Sequence, residues 1–255
     1  MIIIRCILKS VALLIILSAD FQTLYSIDMF DNSKLGISAI YSFDMHSVDL
    51  QSIDEIGTCC PKDLEGTGNS SIISIDYGIK VLESAYLNFS LGFAFRNSQS
   101  NAFENEIINM DSININGVFK HNLNMDYNSI IFKYEYHQDL IGTYGFGASI
   151  GYEYLIANNF SYDEVLVSPA DRGYFIDTGT RRRNELSGEM GSLSPGILFV
   201  GIYFSRELPL DSDFNWIALP KIGFNQVISY VDKNSGWSYN SIFVGVSISK
   251  KLMIK

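Results

Sequence analysis

The sequence predicts an all-β protein: an eight-stranded antiparallel transmembrane β-barrel with short periplasmic turns and long outer loops. Three observations carry this expectation. Apolar residues make up 47% of the 255-residue chain and charged residues only 18%, richer in the first and poorer in the second than an ordinary soluble domain. The 17 Phe, 15 Tyr and 20 Gly, set against 5 Pro, suit strands and tight turns better than helices. Beyond the N-terminal region no stretch holds the ~18 consecutive apolar residues of a membrane helix, because the apolar side chains fall at alternate positions.

Period-two alternation marks each strand in turn. In Lys34 to Asp44, Leu35, Ile37, Ala39, Tyr41 and Phe43 share one face. Ser71 to Leu82 places Ile73, Ile75, Tyr77, Ile79 and Val81 opposite Ser74, Asp76, Gly78 and Lys80. Ala85 to Arg96 places Leu87, Phe89, Leu91, Phe93 and Phe95 opposite Asn88, Ser90, Gly92, Ala94 and Arg96. Ser129 to Gln138 and Thr143 to Ile156 follow the same rule, the latter with Tyr144, Phe146, Ile150, Tyr152 and Tyr154 against Gly145, Gly147, Gly151 and Glu153. Gly196 to Glu207, Asn215 to Ile228 and Tyr239 to Leu252 complete the eight.

A soluble lipocalin-like barrel would turn its apolar face inward, and a membrane barrel would turn it to lipid. Strands of about 10 to 14 residues are long enough to cross a membrane at a tilt. The second face is mostly Gly, Ser, Ala and Asn, which suits a crowded interior better than a solvated surface. Aromatics toward strand ends, Phe93, Phe95, Tyr152, Tyr154, Trp216, Tyr239 and Phe243, suit interfacial girdles.

Loop lengths alternate as such a barrel requires. Glu83-Ser84, Asp139 to Gly142 and Pro209 to Phe214 are short. His46 to Ser70, Asn97 to Tyr127, Ala157 to Leu193 and Val231 to Ser238 are the outer loops. Ser112 to Phe119 is strand-like, but counting it as a ninth strand would put the loop Ala157 to Leu193 on the periplasmic side. It is therefore assigned to a hairpin extension of the second outer loop.

Residues 1 to 26 carry Arg5 and Lys9, the apolar core Val11 to Leu17, and Ala19 and Ser26 near the end. This is the three-part pattern of a secretory signal, cleaved after Ser26 or Ala19, and the core is too short to span a bilayer. Cys6 precedes the core and so is not a lipoprotein cysteine. The barrel domain is then 27 to 255. The net charge is −10; cleavage after Ser26 removes Arg5, Lys9 and Asp20 and leaves −11. An acidic chain lacks the basic face that a nucleic-acid partner needs.

A barrel of eight strands is filled by its own side chains. Charges on the inward face must then be paired, and by facing these are Asp76, Lys80, Arg96, Lys133, Glu135, Glu153 and Lys221. A structural ion network is the favoured reading, and a narrow ion path through the same residues is the alternative.

The strand order resembles the outer-membrane β-barrel family typified by OmpA-type proteins. More specific are Cys59-Cys60-Pro61 followed by Glu65-Gly66-Thr67-Gly68, and the run Val167 to Asp171 through Asp177 to Arg181. These look like a subgroup often found ahead of a periplasmic peptidoglycan-binding domain. Here the chain stops at Lys255, just after the last strand, so a stand-alone barrel is expected and peptidoglycan anchoring is not carried over. The final strand also lacks the terminal aromatic usual in such barrels.

Chemistry-bearing residues are few. Cys59 and Cys60 could form a vicinal loop disulfide, stay as free or intermolecular thiols, or bind a metal; two thiolates without a nearby His fall short of a zinc set. His46, His121 and His137 fall at a strand end, in a loop and on an inner strand face. His137 with Glu135 and some Ser is the one start of a lipid-modifying enzyme, and no enzyme is expected. Arg181, Arg182 and Arg183, with Arg172, form a basic cluster on an outer loop. They either pair with Asp171, Asp177 and Glu185 or meet an anionic surface ligand or lipid phosphate. The expected partners are outer-membrane lipids, the barrel assembly machinery and a surface ligand for the loops, with no cofactor.

Overall fold

The structure, a computed structural model, describes residues 33–53, 56, 64–110, 113–170, 173–175 and 179–252. The signal segment, Cys59, Cys60, Asp171, Arg172 and Asp177 lie outside them. The described residues form ten strands: β1 Ser33–Val48, β2 Leu64–Leu82, β3 Ala85–Met110, β4 Ile113–Asp139, β5 Tyr144–Ser168, β6 Arg182–Gly188, β7 Gly196–Arg206, β8 Leu208–Pro209, β9 Trp216–Val227 and β10 Ser238–Leu252. Eight of them close a ring in the order β1-β2-β3-β4-β5-β7-β9-β10, with β10 returning to β1. All neighbours are antiparallel. Strand β6 pairs only with β5, and β8 only with β9.

The alternation read from the sequence becomes the facing of the wall. Ile37, Tyr41, Ile75, Leu91, Phe132, Ile150, Ile202, Ile222 and Val244 are all exposed on the outside. Ser38, Ser42, Ser74, Ser90, Glu135, Glu153 and Lys221 are buried inside. Glycine on the inner face makes room for bulk across the neighbouring strand. A Cβ at Gly147 would fall 2.1 Å from the Tyr203 ring, and one at Gly151 equally close to the Phe199 ring.

Several strands are much longer than the alternating segments suggested. β3, β4 and β5 run 26, 27 and 25 residues, and β3 beyond Asn101 and β5 beyond Tyr154 have left their ring partners β2 and β7. Residues 113–119 open β4 and pair with the end of β3, the hairpin extension expected for that segment. The segment expected as loop Ala157 to Leu193 is instead a continuation of β5 to Ser168 and a return strand, β6. His121 is accordingly on a strand, not in a loop.

A register shift occurs where Asn128 and Ser129 meet Ala157 and Leu155, leaving Ile156 as an extra residue. Such a bulge re-aims the side chains beyond it. Below it Gly151 and Glu153 face inward; above it the even positions Phe160, Tyr162 and Glu164 do. Tyr239 and Phe243 are also corrections: both are buried in the lumen and do not belong to an outer girdle.

The outer wall changes character along one line. Outward positions pass from Phe93 and Phe95 to Asn97, Gln99 and Asn101 on β3, and from Phe132 and Ile130 to Asn128, Asp126, Asn124 and Asn122 on β4. On β5 they pass from Tyr152 and Tyr154 to Asn159, Ser161 and Asp163, which pair with Asp126, Asn124 and Asn122. Asn69 on β2 sits beside Asn97 on the same line. At the other rim Lys250 lies 5.5 Å over the Trp216 ring and Arg206 5.5 Å over that of Tyr144, the amphipathic pairs that suit a membrane interface.

Candidate functional site

The lumen contains two separate polar clusters. In the upper one Arg96 of β3 reaches two strands in each direction, donating to Asp44 of β1 at 2.9 Å and through two nitrogens to Glu153 of β5. Its guanidinium also donates to Ser70 Oγ and lies 4.7 Å over the Tyr239 ring. Tyr239 donates its phenol to Glu153 at 3.2 Å and Ser129 donates at 3.3 Å. One cation thus meets two carboxylates, with hydroxyls taking up further lone pairs, as a charge held at 0% side-chain exposure requires.

In the lower cluster Glu135 of β4 accepts from Lys221 of β9 at 3.1 Å and lies 3.2 Å from Lys133. Lys221 also stands 4.8 Å over the Tyr203 ring. Asp76 joins neither ion pair; its carboxylate accepts from Ser38 and, at 3.0 Å, from Ser74. Lys80 is half-buried near the periplasmic end of β2 and has no ion pair among the described residues. The charges picked out by facing are therefore divided, and Asp44, the second carboxylate on Arg96, was missing from that set. Between and below the clusters lie two internal voids of about 20 Å³ each, room for single waters.

His137 and Glu135 share the inner face but have different partners. Glu135 is held by its lysines, while His137 Nε2 is 3.0 Å from Asp139 Oδ1. The carboxylate beside His137 is Asp139, so His137 and Glu135 share a face without pairing with each other.

Above the ring the four strands β3 to β6 carry a cluster of their own. Glu164 accepts from Arg183 Nε at 2.6 Å, Asn184 at 2.8 Å and Tyr162 at 3.0 Å. Arg183 donates also to Glu106 at 2.5 Å and packs 4.1 Å over Phe119. His121 Nδ1 lies 2.8 Å from the Tyr162 hydroxyl, and its Nε2 lies 3.4 Å from Glu104. Burial holds His121 below its ordinary value and so keeps it neutral. Burial alone would raise Glu164, but the hydrogen bonds from Asn184 and Arg183 win and lower it. Burial likewise opposes the charge on Arg183, and its bonds to Glu106 and Glu164 outweigh it and raise its value.

The basic cluster is thus largely absorbed by its surroundings. Arg181 donates to the main-chain carbonyls of Leu166, Pro169 and Ala170. Arg182, 59% exposed, lies 3.8 Å from Asp163 and 4.0 Å from Glu185. Of the acids expected as partners only Glu185 serves among the described residues; the others come from neighbouring strands. Arg182 borders a shallow depression of about 490 Å³ on the outward face, lined by Gln99, Asn122, Asn124, Ser161, Asp163 and Glu185.

No protein-family model matches the chain, and no curated protein matches it. Among solved structures it is similar to Neisserial surface protein A, with 12% identity, 84% of this chain and 96% of that one covered, and a TM-score of 0.34. For Ail, the attachment invasion locus protein of Yersinia pestis, the values are 9%, 86%, 99% and 0.32. For the outer membrane protease OmpT from Escherichia coli they are 9%, 89%, 99% and 0.36. At these distances nothing about activity transfers, and the barrel stands on its own strand pairing.

Proposed function

We propose that the chain is an integral protein of the bacterial outer membrane, non-enzymatic, with a filled lumen and a role in surface interaction through the extension of β3 to β6. It belongs, on this reading, with the OmpA-type barrels that its loop motifs resemble. The observation that carries it is the line at which the outward-facing series of β3, β4 and β5 change together from Phe, Tyr and Ile to mostly Asn, Gln and Asp. A wall of exposed apolar side chains needs lipid, and a wall of exposed amides needs water. What stands above the line presents the amide-lined depression, with Arg182 at its border, to a polar ligand outside the cell.

Membrane fractionation with gel mobility before and after boiling tests the first part. The protein is expected in the outer-membrane fraction with a mobility that shifts on heating, and recovery only from the soluble periplasm overturns the reading. In planar bilayers no steady conductance is expected; a steady open state would favour the ion path through the lumen instead. Replacing residues 99 to 124 with a tight turn is expected to leave the heat-shifted band and abolish surface binding.

A further inference from the structure

At the periplasmic mouth, the opposite end from the extension, His137 and Asp139 of β4 meet Glu207 at the end of β7. One donor atom of each lies within 4.8 Å of the other two. The His137 side chain is fully buried and that of Asp139 is 29% exposed, so the group opens to water on one side only. The imidazole stacks on Tyr203 with ring centres 6.0 Å apart, and its Nδ1 lies 3.5 Å from the Tyr203 hydroxyl. Gly145 pairs with both Asp139 and Ser205. A Cβ there would fall 2.7 Å from His137 Nε2 and 3.1 Å from Ser205 Oγ, so both atoms border the space that glycine leaves. Ser205 is only 6% exposed, and its hydroxyl has no hydrogen-bond partner. A buried hydroxyl left unpaired is costly, and here it borders, across the space at Gly145, the same histidine nitrogen that faces Asp139.

We propose that this is a divalent-cation site in which His137 Nε2, an Asp139 oxygen and a Glu207 oxygen are the ligands and a water held by Ser205 completes the set. One nitrogen and two oxygens suit zinc or a similar first-row cation; magnesium prefers oxygen throughout. A tetrahedral cation with bonds of about 2.1 Å holds its donors about 3.4 Å apart. His137 Nε2 and Asp139 Oδ1 stand 3.0 Å apart and a Glu207 oxygen lies within 4.8 Å of both donors, so small side-chain turns close the set. The proton balance closes as well. Without the cation Nε2 carries the proton toward Asp139; on binding, the proton resides on Nδ1 and is donated to the Tyr203 oxygen, which fixes the ring as outer partners of metal-bound histidines do. The competing occupant is the Lys34 ammonium on the neighbouring inner wall, but its Nζ lies 4.0 Å over the Tyr86 ring.

The test is zinc titration of the folded, chelator-stripped barrel in detergent, followed by calorimetry, with gel mobility as the check on folding. One equivalent is expected to bind. Asp139→Asn and Glu207→Gln are each expected to weaken it at least tenfold, Lys34→Met to leave or tighten it, and Glu185→Gln on the far extension to change nothing. X-ray absorption of the zinc-loaded unmodified protein should show one imidazole among oxygen neighbours, a readout that holds even where a variant fails to fold. No binding, equal binding of magnesium, unchanged affinity in the two carboxylate variants, or an absorption spectrum without imidazole each overturns the proposal. None of these readouts depends on the surface role of the extension.

Discussion

The ring and the extension share three strands, β3, β4 and β5, and each part holds an arginine between carboxylates. In the ring Arg96 meets Asp44 and Glu153 with all three side chains at 4% exposure or less. In the extension Arg183 meets Glu106 and Glu164 with its side chain 24% exposed and that of Glu106 28%. The difference lies in what surrounds the pair. The voids beside the ring cluster have room for single waters, whereas the extension is an open sheet whose cluster borders solvent. The same chemistry is therefore expected to carry a larger penalty when broken in the ring.

Arg96→Ala is the most severe way to break that comparison. It leaves Asp44 and Glu153 buried without their cation, which costs about 3–5 kcal/mol. The folded, SDS-resistant band should weaken or vanish at temperatures where the native barrel keeps it. Adding Asp44→Asn and Glu153→Gln should recover much of the loss, and an Arg96→Ala barrel as resistant as the native one would show that the cluster does not hold the ring. Next in size is the outer wall. Leu91→Arg puts a charge on a lipid-facing position, at about 2–4 kcal/mol near mid-membrane. Gln99→Arg, eight positions along the same strand but beyond the line, should stay within about 0.5 kcal/mol. Equal effects in denaturant titrations of lipid-refolded protein would move or remove the line.

Within the ring nearly all facing was legible in the sequence, because contrast between the two faces is what alternation measures. Leu91 beside Gly92 and Phe93 beside Ala94 leave no doubt about which side is which. Above the line the contrast disappears: from Asn97 to Asn105 the outward positions are amides or Phe103, and the inward ones are Ser98, Ser100, Ala102 and Glu104. With polar groups on both faces the period is invisible, so the extension reads as loop although its backbone pairs continuously. The bulge at Ile156 was hidden for another reason, since one extra residue reverses parity without any local signal. Asp44 escaped because it closes the first alternating segment and meets Arg96 only across the intervening strand β2. The group His137, Asp139 and Glu207 likewise joins the inner face and last residue of β4 to the residue after β7, which meet only through the β4–β5–β7 pairing.

A smaller effect is expected from Arg183→Ala. It removes two hydrogen bonds and the packing on Phe119, at about 1–3 kcal/mol confined to the extension. Hydrogen exchange should quicken in residues 160–166 and 182–188 while the SDS-resistant band persists. Loss of that band would mean that the extension and the ring unfold as one unit.

Acidification should separate the two regions most gently. His121 lies below its ordinary value of 6.5 and Glu164 below its ordinary 4.5. In both cases the unfolded segment takes up a proton that the folded one refuses, so their contributions to stability are complete at neutral pH and decline as pH falls. The decline begins near 6.5 through His121, whose buried imidazole must then gain a charge. It deepens near 4.5 through Glu164, whose protonation weakens its bonds to Arg183 and Asn184. Exchange rates in residues 117–125 and 160–166, corrected for intrinsic pH dependence, are expected to rise in two steps. His121→Gln should abolish the first step and spare the second. A single step that survives this substitution would assign the acid response to Glu164 alone, and no step at all would show that the extension is held by its strand pairing and not by its buried charges.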